Sequence, residues 1–151
     1  MASPEDFTIY RRRLPHWRQD GSVYFITFRL ASGKLSEEEI GLVTENIRSN
    51  HGQFYNLYAA VVLPDHVHML LQPKENVELS RIMKGLKGTT ARQINAMRNK
   101  TGSLWQDESY DRIVRDDAEL TEKMQYLWNN ALKAGLCANP LEYRGWVVPE
   151  K

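Results

Sequence analysis

His66 and His68 stand one residue apart inside Val61-Val62-Leu63-Pro64-Asp65-His66-Val67-His68-Met69-Leu70-Leu71. Alternate residues of a β-strand leave the same face, so a strand here sends both imidazoles out side by side. Imidazole is the commonest protein ligand for divalent metals, and a pair on a rigid strand is half a metal site without help from loops. Downstream, Tyr126 and Asn130 are four residues apart in a helical pattern and therefore stack on one helix face. If that face meets the histidines, two imidazoles and one amide surround a metal with a phenol beside it. Such a donor set leaves positions open for water or phosphate oxygens, and suits magnesium or manganese as well as softer ions. A metal there would withdraw charge from a scissile phosphate. A phenol is a weak nucleophile at its ordinary pKa of about 10, and a nearby cation or base activates it. Its attack leaves a phosphotyrosine that is still a diester, which suits strand transfer better than hydrolysis.

The elements that must position these groups can be read from periodicity. Val23 to Leu30 is rich in aromatic and β-branched residues, a first strand. Ser36-Glu37-Glu38-Glu39 reads as a capping box, opening a helix that runs to about Asn50. Phe54–Leu63 and His66–Gln72 are two further strands, joined by a tight Pro64-Asp65 turn into an antiparallel hairpin. Val77 to about Arg98 has the spacing of an amphipathic helix, weakened by Gly85 and Gly88, where a backbone or ligand is expected to approach. Tyr110 to Arg115 is a short fourth strand. A last helix from about Ala118 to Ala134 ends at Gly135, its expected C-cap. The order β-α-β-β-α-β with an added helix predicts an α+β fold, a ferredoxin-like split βαβ sandwich. One antiparallel sheet carries its helices on one face, the other face is open to a ligand, and the histidine strand is central.

The 151 residues support one domain, with a basic arm over 1–20 and a tail over 139–151 expected to pack back as irregular or edge structure. No apolar run approaches the roughly 20 residues of a membrane span, and the N-terminus has no apolar signal core. The single cysteine, Cys137, excludes an internal disulfide and suits a reducing compartment. The expected location is cytoplasmic, at the nucleoid, with no membrane partner. Net charge is only +1, but the basic residues cluster. Arg11, Arg12, Arg13, His16 and Arg18 gather near the start. Arg81, Lys84, Lys87, Arg92, Arg98 and Lys100 face the single acid Glu78 between Val77 and Thr101. Segregated basic clusters suit a polyanion lying across part of the surface.

Four blocks in order carry a resemblance: Tyr10 to Trp17 with Tyr24 to Leu30, Val61 to Leu71, Leu104-Trp105-Gln106 with Tyr110 to Asp116, and Tyr126 to Leu136. They cover nearly the whole chain, which resembles the HUH-type single-tyrosine transposases and, more narrowly, the REP-associated tyrosine transposases. The resemblance implies the ferredoxin-like fold, single-stranded DNA substrates with hairpin or palindromic repeats, a divalent cation and 5′-phosphotyrosine chemistry. It makes His66 and His68 metal ligands and Tyr126 the nucleophile on the C-terminal helix. Asn130 takes the position where relatives place a glutamine or asparagine near the metal. Relatives usually have Asn-Pro where this chain has Asn130-Ala131, and some carry a longer C-terminal tail. A homodimer is one expected assembly, relatives including dimers that share sites and others that act alone.

Tyr110 is the rival nucleophile, although opening a strand better suits packing or lining a DNA groove. Trp105 and Gln106 are candidates to stack on or hydrogen-bond a base, the alternative being a core tryptophan that anchors its loop. Arg11, Arg12, Arg13, Lys84, Lys87 and Arg92 are the candidate phosphate contacts. Two other readings compete with a DNA-joining enzyme. One is a catalytically idle repeat-DNA-binding protein of the same fold, and the other a water-using metal-dependent nuclease or an RNA-binding sheet. Neither of these forms a covalent tyrosine adduct.

Overall fold

The computed structural model describes residues 21–134 and 140–149. Arg11, Arg12, Arg13, His16, Cys137 and the expected cap Gly135 lie outside them. Strand β1 (Val23–Arg29) leads to helix α1 (Glu37–Asn50), the hairpin β2 (Tyr55–Val62) and β3 (His66–Pro73), helix α2 (Leu79–Arg98), strand β4 (Tyr110–Val114) and helix α3 (Asp117–Lys133). A 3-10 turn, Pro140–Glu142, and a two-residue strand β5 (Trp146–Val147) follow. The sheet order is β4-β1-β3-β2-β5, with every pairing antiparallel. The histidine strand is central, as expected.

Alternation divides the core in two. Ile26, Phe28, Val67, Met69 and Leu71 point to the side covered by α1 and α2, where they meet Ile40, Val43, Ile47, Leu86 and Ile94. Val23, Phe25, Val61 and Leu70 point the other way, to Leu120, Met124, Leu127, Trp128 and Ala131 of α3. The open face foreseen from the sequence is therefore mostly closed by the last helix, and its end toward His66 and its edge at β4 remain uncovered. A bulge between Leu57 and Ala59 turns both Tyr58 and Ala59 toward α3.

Local chemistry fixes the elements. The Ser36 hydroxyl accepts from the Glu39 amide at 3.1 Å, and the Glu39 carboxylate accepts from the Ser36 amide at 2.8 Å. Glu39 also takes two bonds from the Arg98 guanidinium, at 2.7 and 2.8 Å, tying the start of α1 to the end of α2. Asp116 caps α3 through the Glu119 amide at 2.8 Å. The Pro64-Asp65 turn is closed by Leu63 N–H donating to His66 O at 2.8 Å. The tail packs back as an edge strand, with Ala60 opposite Val147 and Val61 opposite Trp146. Gly145 is required there, because a Cβ would run into the Val62 carbonyl. Helix α2 passes through Gly85 and Gly88 unbroken, and no backbone approaches either; a Cβ at Gly85 would meet open space.

Candidate active site

The β3 register places His68 opposite Thr27, and His66 opposite Arg29, on β1. On the far side of β1, Tyr110 of β4 is also opposite Thr27. Cross-strand partners share a face, so Tyr110, Thr27 and His68 form one row and Arg29 and His66 the next. The two imidazoles leave the same face with ring centroids 4.8 Å apart.

Helix α3 brings the phenol to this row. Its buried stripe, Leu120, Met124, Leu127, Trp128 and Ala131, holds it on the sheet. Tyr126 is beside that stripe, 45% exposed, at the rim of the covered area. Its ring meets His68 at 5.2 Å and Phe25 at 5.8 Å, both edge-on. Phe25 in turn stacks on His68 at 5.5 Å. Lys123, one turn before Tyr126, holds its ammonium 4.9 Å above the Phe25 ring. Phe25, Thr27, Arg29, His68, Tyr110, Lys123 and Tyr126 line one hollow of about 410 Å3.

Hydrogen bonds orient both imidazoles. Asp65 Oδ1 is 2.7 Å from His66 Nδ1, and that bond holds the Asp65 carboxyl below its usual range. An ionised carboxylate only accepts, so Nδ1 of His66 carries the proton and donates. Thr27 Oγ1 is 2.8 Å from His68 Nδ1. His68 is 3% exposed and its Nε2 has no hydrogen-bond partner. An orphaned buried nitrogen is costly, and a cation would relieve that cost if Nδ1 carries the proton and Nε2 the lone pair. Burial above all, then the charges of His66, Arg29 and Lys123, push the His68 imidazole down to about 3. It is neutral at pH 7 and competent to bind a metal. Among the described residues no cluster of three His, Cys, Asp or Glu forms. The donor set is thus two imidazole nitrogens plus whatever oxygens substrate and solvent supply, which fits a divalent ion.

Other expected residues are placed differently. The Asn130 amide donates to Tyr126 O at 2.8 Å along its own helix, and Asn130 does not line the hollow. Trp105 is corrected from a base-stacking candidate to a core residue. It is 4% exposed, edge-on to Phe28 at 4.8 Å, with its indole N–H donating to Thr90 at 2.9 Å. Lys87 gives its ammonium to Gln106 O, Asp107 O and Ser109 Oγ at 2.6, 3.2 and 3.2 Å, so it fastens the loop before β4. Lys84 and Arg92 are exposed on α2, across the sheet from the histidines. Gln106 is exposed, with its amide bonded to Leu30 O at 3.3 Å. Arg29, Thr27, Phe25, Asp65 and Lys123 were not singled out from the sequence. The parity of Phe25, Thr27 and Arg29 marks them as one face of a strand, but only the β1–β3 register shows that this face is the histidine face.

A family model described as "Transposase IS200 like" matches residues 29–130. A Haemophilus influenzae protein provisionally named a REP-associated tyrosine transposase is 27% identical over 143 residues, covering 81% of this chain and 78% of that protein. A REP-associated tyrosine transposase solved bound to a REP hairpin has a similar fold. Its TM-score is 0.64 at 16% identity, over 88% of this chain and 82% of that one. A crystal structure of a Deinococcus radiodurans protein, provisionally named a transposase, gives a TM-score of 0.51 at 21% identity, over 77% and 97%.

Proposed function

Since the chain belongs to the IS200-like transposase family, we propose that it nicks and rejoins single-stranded, hairpin-containing DNA with Tyr126 as nucleophile. The observation that carries this reading is the meeting of Tyr126 with His68 in one half-open hollow, with the His66 ring 4.8 Å behind on the same sheet face. A buried phenol would be sealed from a phosphate, whereas this one lies at a rim where a strand can reach it.

In the cleavage step the Tyr126 oxygen attacks the scissile phosphorus as its proton leaves to solvent. The new Tyr–O–P bond replaces the P–O3′ bond, and the departing 3′ oxygen takes up a proton. The 5′-phosphotyrosine is a diester like the bond it replaced. A second 3′-hydroxyl can therefore attack it, release the phenol and restore a phosphodiester without an outside energy source. A magnesium or manganese ion held by Nε2 of His66 and His68 would supply charge withdrawal at the phosphate. Asp65 and Thr27 orient the two rings. Arg29 and Lys123 place positive charge on the walls of the hollow, where a phosphate would lie. Asn130 has a different part in this reading: its amide covers the carbonyl of Tyr126 and steadies the turn that carries the phenol.

Incubation with manganese and a hairpin oligonucleotide bearing single-stranded flanks is expected to yield a covalent DNA adduct that Tyr126→Phe does not form. A wild-type protein that cleaves without any adduct would point to the water-using nuclease, and one that binds without cleaving to the idle binding protein. Adduct formation lost in Tyr110→Phe and retained in Tyr126→Phe would reassign the nucleophile.

A further inference from the structure

Tyr110 is the most exposed tyrosine beside the hollow, 57% accessible, although it lies on the sheet face that α3 otherwise covers. Two strand spacings separate it from His68, roughly 10 Å, whereas Tyr126 touches that imidazole. Arg112, two residues on from Tyr110 and on the same strand face, holds Glu119 of α3 at 3.2 Å. The Tyr110 ring is open to solvent over much of its surface. A second hollow, of about 300 Å3, adjoins the first and is lined by Thr27, Arg29, Gln106, Glu108, Ser109 and Tyr110. Thr27, Arg29 and Tyr110 belong to both and form the ridge between them.

We propose that this ridge is a landing platform for single-stranded DNA. The nucleotide flanking the scissile phosphate stacks on Tyr110, its phosphate meets Arg29, and the strand continues into the hollow beside residues 106–109. The proposal rests on the function given above and adds the route of the strand. An open aromatic ring next to a cation is the combination that takes an unpaired nucleotide, since every base has a stacking face and every linkage a negative charge. Arg29 makes no ion pair with a carboxylate among the described residues, so its charge is available. The loop is held in shape by Lys87. Glu108 puts a carboxylate on the wall of the second hollow, which favours a base edge there over a phosphate.

The test is binding without chemistry, in EDTA, with the full chain carrying Tyr126→Phe. Two fluorescent oligonucleotides are compared by anisotropy, a bare hairpin and the same hairpin with a single-stranded flank. Adding Tyr110→Ala should weaken binding of the flanked oligonucleotide by about 5- to 150-fold, the range expected for one stacked base. The bare hairpin should be unaffected, and Tyr110→Phe should bind both as before. Arg29→Gln should weaken flanked binding and flatten its salt dependence. With 2-aminopurine in the flank, quenching on binding should be present with Tyr110 and absent with Tyr110→Ala. Unchanged flanked binding by Tyr110→Ala, or equal weakening of both oligonucleotides, would overturn the platform. Failure of the Tyr126 adduct with intact flank discrimination would overturn the catalytic reading and leave the platform standing.

Discussion

His68 makes folding sensitive to mild acid in a calculable way. Its imidazole has an ordinary value of 6.5 in the unfolded chain and about 3 when folded. Between those values the unfolded chain binds a proton that the folded protein refuses, so stability falls as pH falls. The slope from this one group is about 1.4 kcal/mol per pH unit, and at pH 5, some 1.5 units below 6.5, the loss is about 2 kcal/mol relative to neutral pH. That is a large part of the ~5–15 kcal/mol by which domains are stable. The carboxylates of Glu39, Asp65 and Glu119 are held below their ordinary values by their partners, so they stay ionised at pH 5 and weaken folding only under stronger acid. His51 is also lowered, by burial first and by the charge of Lys74 second, so it acts in the same direction and is common to both proteins compared below. The assay is therefore a difference. Urea unfolding is measured at pH 7.5 and 5.0 in EDTA for the wild type and for His68→Gln, which cannot titrate but can still bond Thr27. The wild type should lose about 2 kcal/mol more than the variant over that interval. Equal losses in the two proteins would refute the account of a neutral, desolvated imidazole.

Three other outcomes follow from the geometry. Thr27→Val should weaken manganese binding about 10- to 100-fold by calorimetry, because the His68 ring loses the partner that orients it; unchanged affinity would dismiss Thr27 as a support. Trp105→Phe should cost about 1–3 kcal/mol in urea unfolding through the lost bond to Thr90 and lost volume, while single-stranded DNA affinity stays the same. A fall in affinity without a fall in stability would return Trp105 to the binding surface. Gly145→Ala should destabilise by about 1–3 kcal/mol, since the new methyl meets a backbone carbonyl that cannot turn aside; a neutral change would mean that the β5 segment relocates at no cost.

Strand parity was enough to place His66 and His68 on one face, because the period of two admits no other arrangement once Val61 to Leu71 is a hairpin. The boundaries of α1 followed from the Ser36 capping box, and those of β2 and β3 from Pro64-Asp65. The side of the sheet taken by α3 was not legible. Its apolar stripe shows that it buries one face, but both faces of a ferredoxin-like sheet are apolar enough to receive it. Trp105 admits two readings, a base-stacking residue or a loop-anchoring core tryptophan, and only the position of Thr90 on α2 decides for the second by showing where its N–H goes. The basic stripe on α2 was visible as composition, yet the capture of Lys87 by carbonyls of the 106–107 segment depends on a loop conformation no pattern encodes. Asn130 was grouped with the histidines by its spacing from Tyr126, the same spacing that lets its amide reach the Tyr126 carbonyl instead.

The five-stranded sheet is roofed on one side by two helices and on the other by one, and β3 runs through its middle with neighbours along both edges. Its imidazoles consequently stand on a strand paired along both edges, while the phenol rides on an outer layer held by an apolar stripe and the arginine clasp on Glu119. In the proposed reaction, any adjustment that an approaching phosphate demands would fall to the helix, with the histidine pair as the fixed reference.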